Sequence, residues 1–187
     1  MNEQHGNVDK LTKLVKACRV IKNEEALEVF DLIVDLNDVS RKQLVHDSCF
    51  IESPLTKNLL RLESADLISG IKSGREKELE ISSYGRRISE AMGHPIPLKI
   101  PYVLSDANRI FILETIAKNH KTYGDIFWCT NDLLKKYDMT VINPDDVRYH
   151  MRTLKNKTQI TAKPPYQLTP EGESTVKVVD NILGYQL

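Results

Sequence analysis

The clearest charge asymmetry in the sequence lies at positions 147–163, where five basic residues occur without a single acidic one. These residues are Arg148, Arg152, Lys155, Lys157 and Lys163. The first three follow an i, i+4, i+7 spacing, which places them on one face of a helix. Such a face can bind phosphate oxygens, and arginine can also pair bidentately with the edge of guanine. The segment is therefore a candidate nucleic-acid contact, with a solvated outer face as the alternative.

A second candidate lies in the first half of the chain, on a polar helix face and a neighbouring turn. Its members are Thr56, Lys57, Asn58, Arg61, Lys72 and Arg75. Lys57 and Arg61 are four positions apart, so they also share one side of a helix. Acidic residues dilute the charge, because positions 57–78 hold five basic and four acidic side chains. Contact with nucleic acid and a solvated surface both remain open for this region.

The sequence contains no pattern typical of catalysis. His46 and Cys49 have a His-x-x-Cys spacing, but no second pair with zinc-like spacing accompanies them. The eight glycines occur singly, and neither a phosphate-cradling loop nor a nucleophile elbow is present. We therefore expect a protein that is not an enzyme and that uses no metal or other cofactor.

The overall composition is that of a globular protein. The 187 residues include 26 basic and 26 acidic side chains, and 41% of them are hydrophobic, which is too high for a disordered chain. Three widely separated cysteines favour a reducing compartment over a disulfide framework. No run approaches the roughly 18 apolar residues of a membrane span. We expect a cytoplasmic, nucleoid-associated protein without membrane contact, in which any binding of nucleic acid depends on local charge.

An approximate internal repeat organises the chain. Positions 79–88 match positions 166–175 when Gly85 is aligned with Gly172. Each segment reads as a short strand, a hydroxyl residue able to cap a helix, and a glycine in the first helical turn. Upstream, each copy has a capping residue before a proline, at Ser53-Pro54 and Asn143-Pro144. We interpret the repeat as a duplicated domain of about 90 residues.

The predicted organisation has four parts. They are an N-terminal amphipathic helix (1–22), a first domain (23–93), a proline-rich linker (94–104) and a second domain (105–187). Each domain is predicted to run helix, helix, helix, hairpin, helix. Three prolines in the linker are expected to prevent a helix there. The apolar stripes of the first and last helices are candidates for packing on the domains or for homodimerisation.

This order of elements, with a charged turn between two strands, resembles the winged helix-turn-helix domain. Positions 55–68 resemble the recognition helix and first wing strand of MarR- and ArsR-like regulators of prokaryotes, archaea included, and positions 147–154 echo them. The stretches Ile-Ser-Ser-Tyr-Gly-Arg-Arg at 81–87 and Leu-Thr-Pro-Glu-Gly-Glu at 168–173 resemble the Leu-Thr-Pro-x-Gly that ends many such wings. The resemblance implies a mainly α fold with small β-hairpins (α+β), arranged as two tandem winged helix-turn-helix domains.

By the same resemblance, the protein would be a DNA-binding transcriptional regulator. The third helix of each domain would enter the major groove of double-stranded DNA while the wings contact the backbone. Arg148 and Arg152 would read bases or phosphates, with Lys57 and Arg61 as their counterparts. Further phosphate contacts would come from Lys157, Lys163, Lys72 and Arg75.

Tandem winged helices are also similar to architectures in chromosome-segregation, transcription and membrane-sorting complexes, where they bind proteins. The alternative function is therefore a protein–protein interaction scaffold in a chromosome-segregation or transcription-related complex, with a protein partner in place of DNA. Fold alone does not decide between the two functions.

Overall fold

A computed structural model describes residues 2–37, 39–48, 52–73 and 76–184 of the chain. The described residues are mainly helical, with one small antiparallel sheet, so the prediction of a mainly α chain with a small β component is confirmed. The helices are α1 (Asn2–Ile21), α2 (Glu24–Leu36), α3 (Arg41–Ser48), α4 (Glu52–Ser64), α5 (Ser83–Met92), α6 (Lys99–Leu104), α7 (Ala107–Ala117), α8 (Tyr123–Lys136), α9 (Pro144–Asn156) and α10 (Pro170–Leu183). The strands are β1 (Val39–Ser40), β2 (Ile68–Ser73) and β3 (Glu76–Ile81).

The chain divides into two compact units. The first unit is Lys16–Ser105, and the second unit consists of the chain up to Val15 together with Asp106 and the residues that follow. The boundary between the units falls within α1, between Val15 and Lys16, so positions 1–22 are not the separate element that their sequence predicts. None of the helices in the described ranges combines the length and apolarity needed to cross a bilayer.

The core of the first unit lies between its helices and the sheet. Helix α2 begins after Asn23, whose side chain accepts a hydrogen bond from the Ala26 amide at 3.0 Å. Its buried stripe packs on α4 and β3. The strand order is β1-β3-β2, with Val39 opposite Leu79 and Ile68 opposite Ile81. The fully buried large side chains of this unit include Phe30, Ile33, Leu44, Leu55, Leu62, Leu67 and Ile88.

The core of the second unit is built around α7, which packs against α8, α9 and α10. Every residue of α7 from Arg109 to Ile116 is buried, as expected for a helix surrounded by others. Each of these four helices begins after a side chain that accepts a hydrogen bond from a backbone amide of the first turn. The capping residues are Asp106 for α7, Thr122 for α8, Asn143 for α9 and Thr169 for α10.

The glycines that define the repeat make the same close contact in both units. A Cβ atom on Gly85 would lie 1.9 Å from the Leu67 carbonyl oxygen, and one on Gly172 would lie 2.0 Å from the Gln159 carbonyl oxygen. Both distances are far inside van der Waals contact, so only glycine fits at either position. This contact fixes the first turn of α5 or α10 against the segment that follows α4 or α9.

The proline-rich segment differs from its prediction. Helix α6 (Lys99–Leu104) lies within positions 94–104, with Pro101 as its third residue. A proline is tolerated there because the first helical N–H groups have no partner within the helix. Ile100, Val103 and Leu104 are buried, so burial of apolar side chains stabilises this helix despite its prolines.

Two further helix starts differ from the sequence interpretation. Helix α8 begins at Tyr123 after the Thr122 cap, although the sequence pattern predicts a loop from His120 to Cys129 and a helix capped by Thr130. The Thr122 hydroxyl accepts from the Asp125 amide at 3.2 Å, which starts the helix eight residues earlier than predicted. Helix α4 begins at Glu52, so Ser53 is not its cap.

The cysteines of the described residues are free. Cys18 is buried and Cys129 is partly exposed. Cys49, the second half of the His-x-x-Cys spacing, lies outside the described residues. Among those residues, no group of three or more His, Cys, Asp or Glu side chains could hold a metal ion.

Candidate nucleic-acid interface

Helix α9 presents one buried face and one exposed face. Its buried residues are Val147, His150, Met151 and Leu154, an i, i+3, i+4, i+7 stripe that packs towards α7. Pro144 occupies the first turn, and the Asn143 side chain accepts from the Asp146 amide at 2.9 Å in a capping box. With one face locked in the core, the opposite face carries Arg148, Tyr149 and Arg152 into solvent.

Arg148 is exposed, but it is held by two neighbours. Its Nη1 donates to Asp145 Oδ1 at 2.7 Å, and its Cζ lies 5.3 Å from the centre of the Tyr123 ring. The side chain is 64% exposed, so this ion pair is a weak surface pair that a phosphate can replace. The Asp145 carboxylate also places a negative charge at the N-terminal end of α9, where it repels phosphate.

Arg152 is an exposed cation on the same face that is not held by a neighbour among the described residues. It lies one helical turn beyond Arg148 and is exposed. Within the described part of the chain, its guanidinium makes neither an ion pair nor a hydrogen bond. Its five N–H donors are therefore turned to solvent, in the geometry that suits bidentate pairing with phosphate or guanine.

The remaining basic residues of this segment follow α9 into the hairpin region. Lys155 lies with Nζ 4.8 Å from the centre of the Tyr166 ring, a cation–π contact that holds it near the hairpin. Lys157 is the C-cap of α9 and is partly buried. Lys163 is exposed in the bend between the bridged residues Ile160 and Leu168.

A buried polar cluster beneath α9 was missed by the sequence analysis. His150 Nε2 lies 3.4 Å from Asn108 Nδ2, and His150 Nδ1 lies 3.9 Å from Asp106 Oδ2. The same Asp106 oxygen lies 3.6 Å from Arg109 Nη2. Burial lowers the pKa of His150, and the Asp106 carboxylate opposes that shift. The cluster joins α9 to the start of α7; the signal for it was the inward position of His150 in the helical stripe.

The candidate residues of α4 are only partly available. The Thr56 hydroxyl donates to the Glu52 carbonyl at 2.7 Å and accepts from Arg41 Nη2 at 2.6 Å. Lys57 and Arg61 are exposed. Asn58 is only 3% exposed, which contradicts the prediction that it contacts nucleic acid. It belongs to the buried stripe of α4, three residues after the equally buried Leu55.

The structure describes only the backbone of one of the two predicted wing residues of the first unit, Lys72 and Arg75. The backbone of Lys72 lies in β2, opposite Lys77 of β3. Its side chain lies outside the described part of the structure, and Arg75 lies outside the described residues altogether.

Helices α4 and α9 have the same length and the same buried pattern. Each has 13 residues, and their starts, Glu52 and Pro144, are 92 positions apart. At this offset the buried pairs are Leu55 and Val147, Asn58 and His150, Leu59 and Met151, and Leu62 and Leu154. The residue two positions after each helix, Asp66 or Thr158, has a positive φ of 59° or 57°. The two helices are therefore equivalent residue by residue.

This register corrects the predicted pairing of basic residues. Lys57 and Arg61 are not the counterparts of Arg148 and Arg152, because each lies one residue too far along the helix. The position of Arg152 is occupied in the first unit by Leu60, whose side chain is 62% exposed. The exposed faces of the two helices therefore differ in chemistry although their buried faces agree.

No protein-family model matches the sequence, and no curated protein matches it either. Function must therefore be inferred from the residues of the two units themselves.

Proposed function

We propose that the protein is a DNA-binding transcriptional regulator built from two winged helix-turn-helix units, with α9 as its recognition helix. The order of elements supports this fold assignment. In the first unit, α2, α3 and α4 precede the β2–β3 hairpin, and in the second unit α7, α8 and α9 precede the bridge between Ile160 and Leu168. In such folds the third helix enters the major groove.

The observation that carries the proposal is the exposed face of α9. Arg152 is accessible and Arg148 is held only by a surface ion pair, while the opposite face is buried in the core. A helix anchored in this way presents its arginines at fixed positions, which favours contact with both phosphates and base edges. Between 147 and 163 no acidic residue opposes that contact.

Lysines beyond the helix extend the same surface along the chain. Lys155 and Lys157 lie at the C-terminal end of α9, and Lys163 lies in the bend that replaces a wing turn. In the proposed complex these lysines contact the DNA backbone and supply affinity without reading sequence. Because the whole chain has no net charge, binding to non-specific DNA is weak. Its dependence on salt comes from these few phosphate contacts, each of which releases counterions.

The proposal is tested by titrating the full chain against a fluorescent duplex of mixed sequence and following anisotropy between about 50 and 200 mM salt. We expect Arg152→Ala to weaken binding about tenfold and to lower the log–log salt slope by about one. The matched control is Lys177→Ala, which removes an exposed cation from α10 of the same unit. Its binding curve should overlay that of the wild type.

Two results would overturn the proposal. Wild-type protein that shows no salt-dependent binding to the duplex is not a DNA-binding protein. Equal losses in Arg152→Ala and Lys177→Ala would mean that binding depends on total charge and not on the exposed face of α9.

A further inference from the structure

The exposed face of α4 is a surface with a different chemistry from that of α9. Leu60 lies between two depressions of the first unit, one of about 520 Å³ and one of about 160 Å³. Leu60 and Thr56 line both of them. We call this surface the Leu60 face and define it by Arg41, Thr56, Lys57, Leu60 and Arg61.

The apolar centre of the Leu60 face is bordered by cations. Arg41 lines the smaller depression, and Lys57 and Arg61 line the larger one. Glu63 is the single acidic residue among the described residues that line either depression, so two positive charges remain in excess. Arg41 is oriented by its hydrogen bond to Thr56, which directs a planar donor group to the edge of the apolar centre.

We propose that the Leu60 face binds a short acidic segment of a partner protein that carries one bulky apolar side chain. The apolar side chain packs against Leu60 between the two depressions. Carboxylates on either side of it pair with Arg41, Lys57 and Arg61. This inference concerns the first unit and does not depend on DNA binding by α9.

The shape and chemistry of the face favour a peptide over DNA. An exposed leucine in place of Arg152 removes the donor group that reads guanine and phosphate. An exposed apolar side chain bordered by cations is typical of protein–protein contact surfaces, in which a few anchor side chains supply most of the binding energy. The partner's apolar side chain packs against Leu60 and its neighbours lie over the shallow depressions on either side, whereas the DNA major groove needs a protruding polar surface.

The test is a selection of random peptides displayed on phage against the immobilised full chain, with Leu60→Glu as the counter-selected variant. We expect the recovered peptides to carry several Asp or Glu residues around one large apolar residue. A synthetic peptide from the selection should bind Leu60→Glu at least about tenfold more weakly than the wild type. The double variant Lys57→Glu with Arg61→Glu should lose binding in the same way.

The matched control is Leu98→Glu, which replaces another exposed leucine of the first unit. It should bind the peptide like the wild type, and the thermal unfolding midpoints of all variants should agree because the replaced side chains are exposed. Recovery of no peptide that depends on Leu60, or of peptides without acidic residues, would overturn the proposal.

Measurements on the same variants distinguish an acidic peptide from two other ligands of the Leu60 face, which are DNA and a second copy of this chain. If Leu60→Glu weakens duplex binding as much as Arg152→Ala does, the face binds DNA and the proposal is wrong. If Leu60→Glu abolishes self-association seen for the wild type by sedimentation velocity, the occupant is a second copy and the proposal is also wrong. Loss of duplex binding in Arg152→Ala alone bears on α9 and leaves the Leu60 face unaffected.

Discussion

Helices α4 and α9 bury the same pattern of residues and expose different ones. Each helix is followed by a residue with positive φ, Asp66 after α4 and Thr158 after α9. The carbonyl of the next residue lies against a glycine of α5 in the first unit and of α10 in the second. Their solvent faces differ most where Leu60 stands in place of Arg152. The comparison indicates that the buried stripe and the glycine contact are common to the two units, whereas the chemistry of the outward face is not tied to them.

The β structure of the two units differs as well. In the first unit β3 pairs with both β1 and β2. In the second unit the described residues show one isolated bridge, between Ile160 and Leu168, and a hydrogen bond from the Tyr166 amide to the Lys121 carbonyl. Pro164 and Pro165 have no N–H to donate, which explains why a continuous ladder does not extend through the second hairpin.

The largest expected effect comes from the two glycines that the units share. Gly85→Ala and Gly172→Ala each place a methyl group about 2 Å from a carbonyl oxygen. We expect each variant to lower the free energy of unfolding by about 3 kcal/mol or more, since backbone must move to relieve the clash. Chemical denaturation measures the loss, and Gly124→Ala, whose added Cβ meets its nearest neighbour at 3.9 Å, is the control. A loss below about 1 kcal/mol in either unit would break the equivalence of the two contacts.

A smaller effect is expected from the carboxylates that occupy matching positions on α2 and α7. Asp31 and Glu114 each lie eight residues after the helix N-cap, and burial raises the pKa of both. His94 Nδ1 lies 3.2 Å from Asp31 and lowers its pKa, whereas burial together with the nearby Asp180 charge raises the pKa of Glu114 to about 7. Glu114 is thus the more perturbed of the two groups.

The sign of the pH dependence follows from that difference. The folded pKa of Glu114 lies above its unfolded value of 4.5, so the proton is held more tightly in the folded state. Its contribution to stability is greatest below pH 4.5 and is lost as the pH rises to 7, a change of about 2–3 kcal/mol. Glu114→Gln should remove this dependence, and Asp31→Asn should change it less. Urea unfolding at several pH values from 4 to about 8 measures both; an unchanged profile in Glu114→Gln would contradict the expectation.

The smallest expected effect is at the N-terminal end of α9, where Asp145 corresponds to Ser53 of α4. Asp145→Asn releases Arg148 and removes a charge that repels phosphate, so duplex affinity should rise about two- to threefold. Stability should change by less than about 0.5 kcal/mol because the pair is exposed. Asp132→Asn, which breaks the exposed pair with Lys135 on α8, is the control. Anisotropy titration gives the affinities, and an equal gain in both variants would mean that only net charge matters.

Much of this architecture is readable from local signals in the sequence. Asn143 and Pro144 form the capped start of α9 that their residue types predict. The alignment of Gly85 with Gly172 identifies two positions that make the same contact with a backbone carbonyl. Capping and glycine contacts are local or depend on a single steric requirement. They can therefore be recognised without knowledge of the tertiary structure.

Other features depend on tertiary packing and were not predictable in the same way. The proline at position 54 suggested a helix start there, but α4 begins at Glu52 and its exposed residues shift accordingly. Aligning Pro54 with Pro144 gives an offset of 90 and pairs Asn58 with Arg148, whereas the observed helix starts give an offset of 92 and pair Thr56 with it. Helical spacing alone predicts that Asn58 is buried, because it lies on the same stripe as Leu55, Leu59 and Leu62. The polarity of its side chain favoured the opposite prediction, that it is exposed. Helix α6 is stabilised by the burial of Ile100, Val103 and Leu104, which the prolines around them do not suggest.

The contact between Gly172 and the Gln159 carbonyl has a consequence for engineering the molecule. The partner atom belongs to the backbone, so this contact does not depend on the identity of any exposed side chain of α9. The same holds for Gly85 and the Leu67 carbonyl behind α4. Outward residues can therefore be exchanged between the two helices at matching positions without altering the contact that sets α5 or α10 against the backbone.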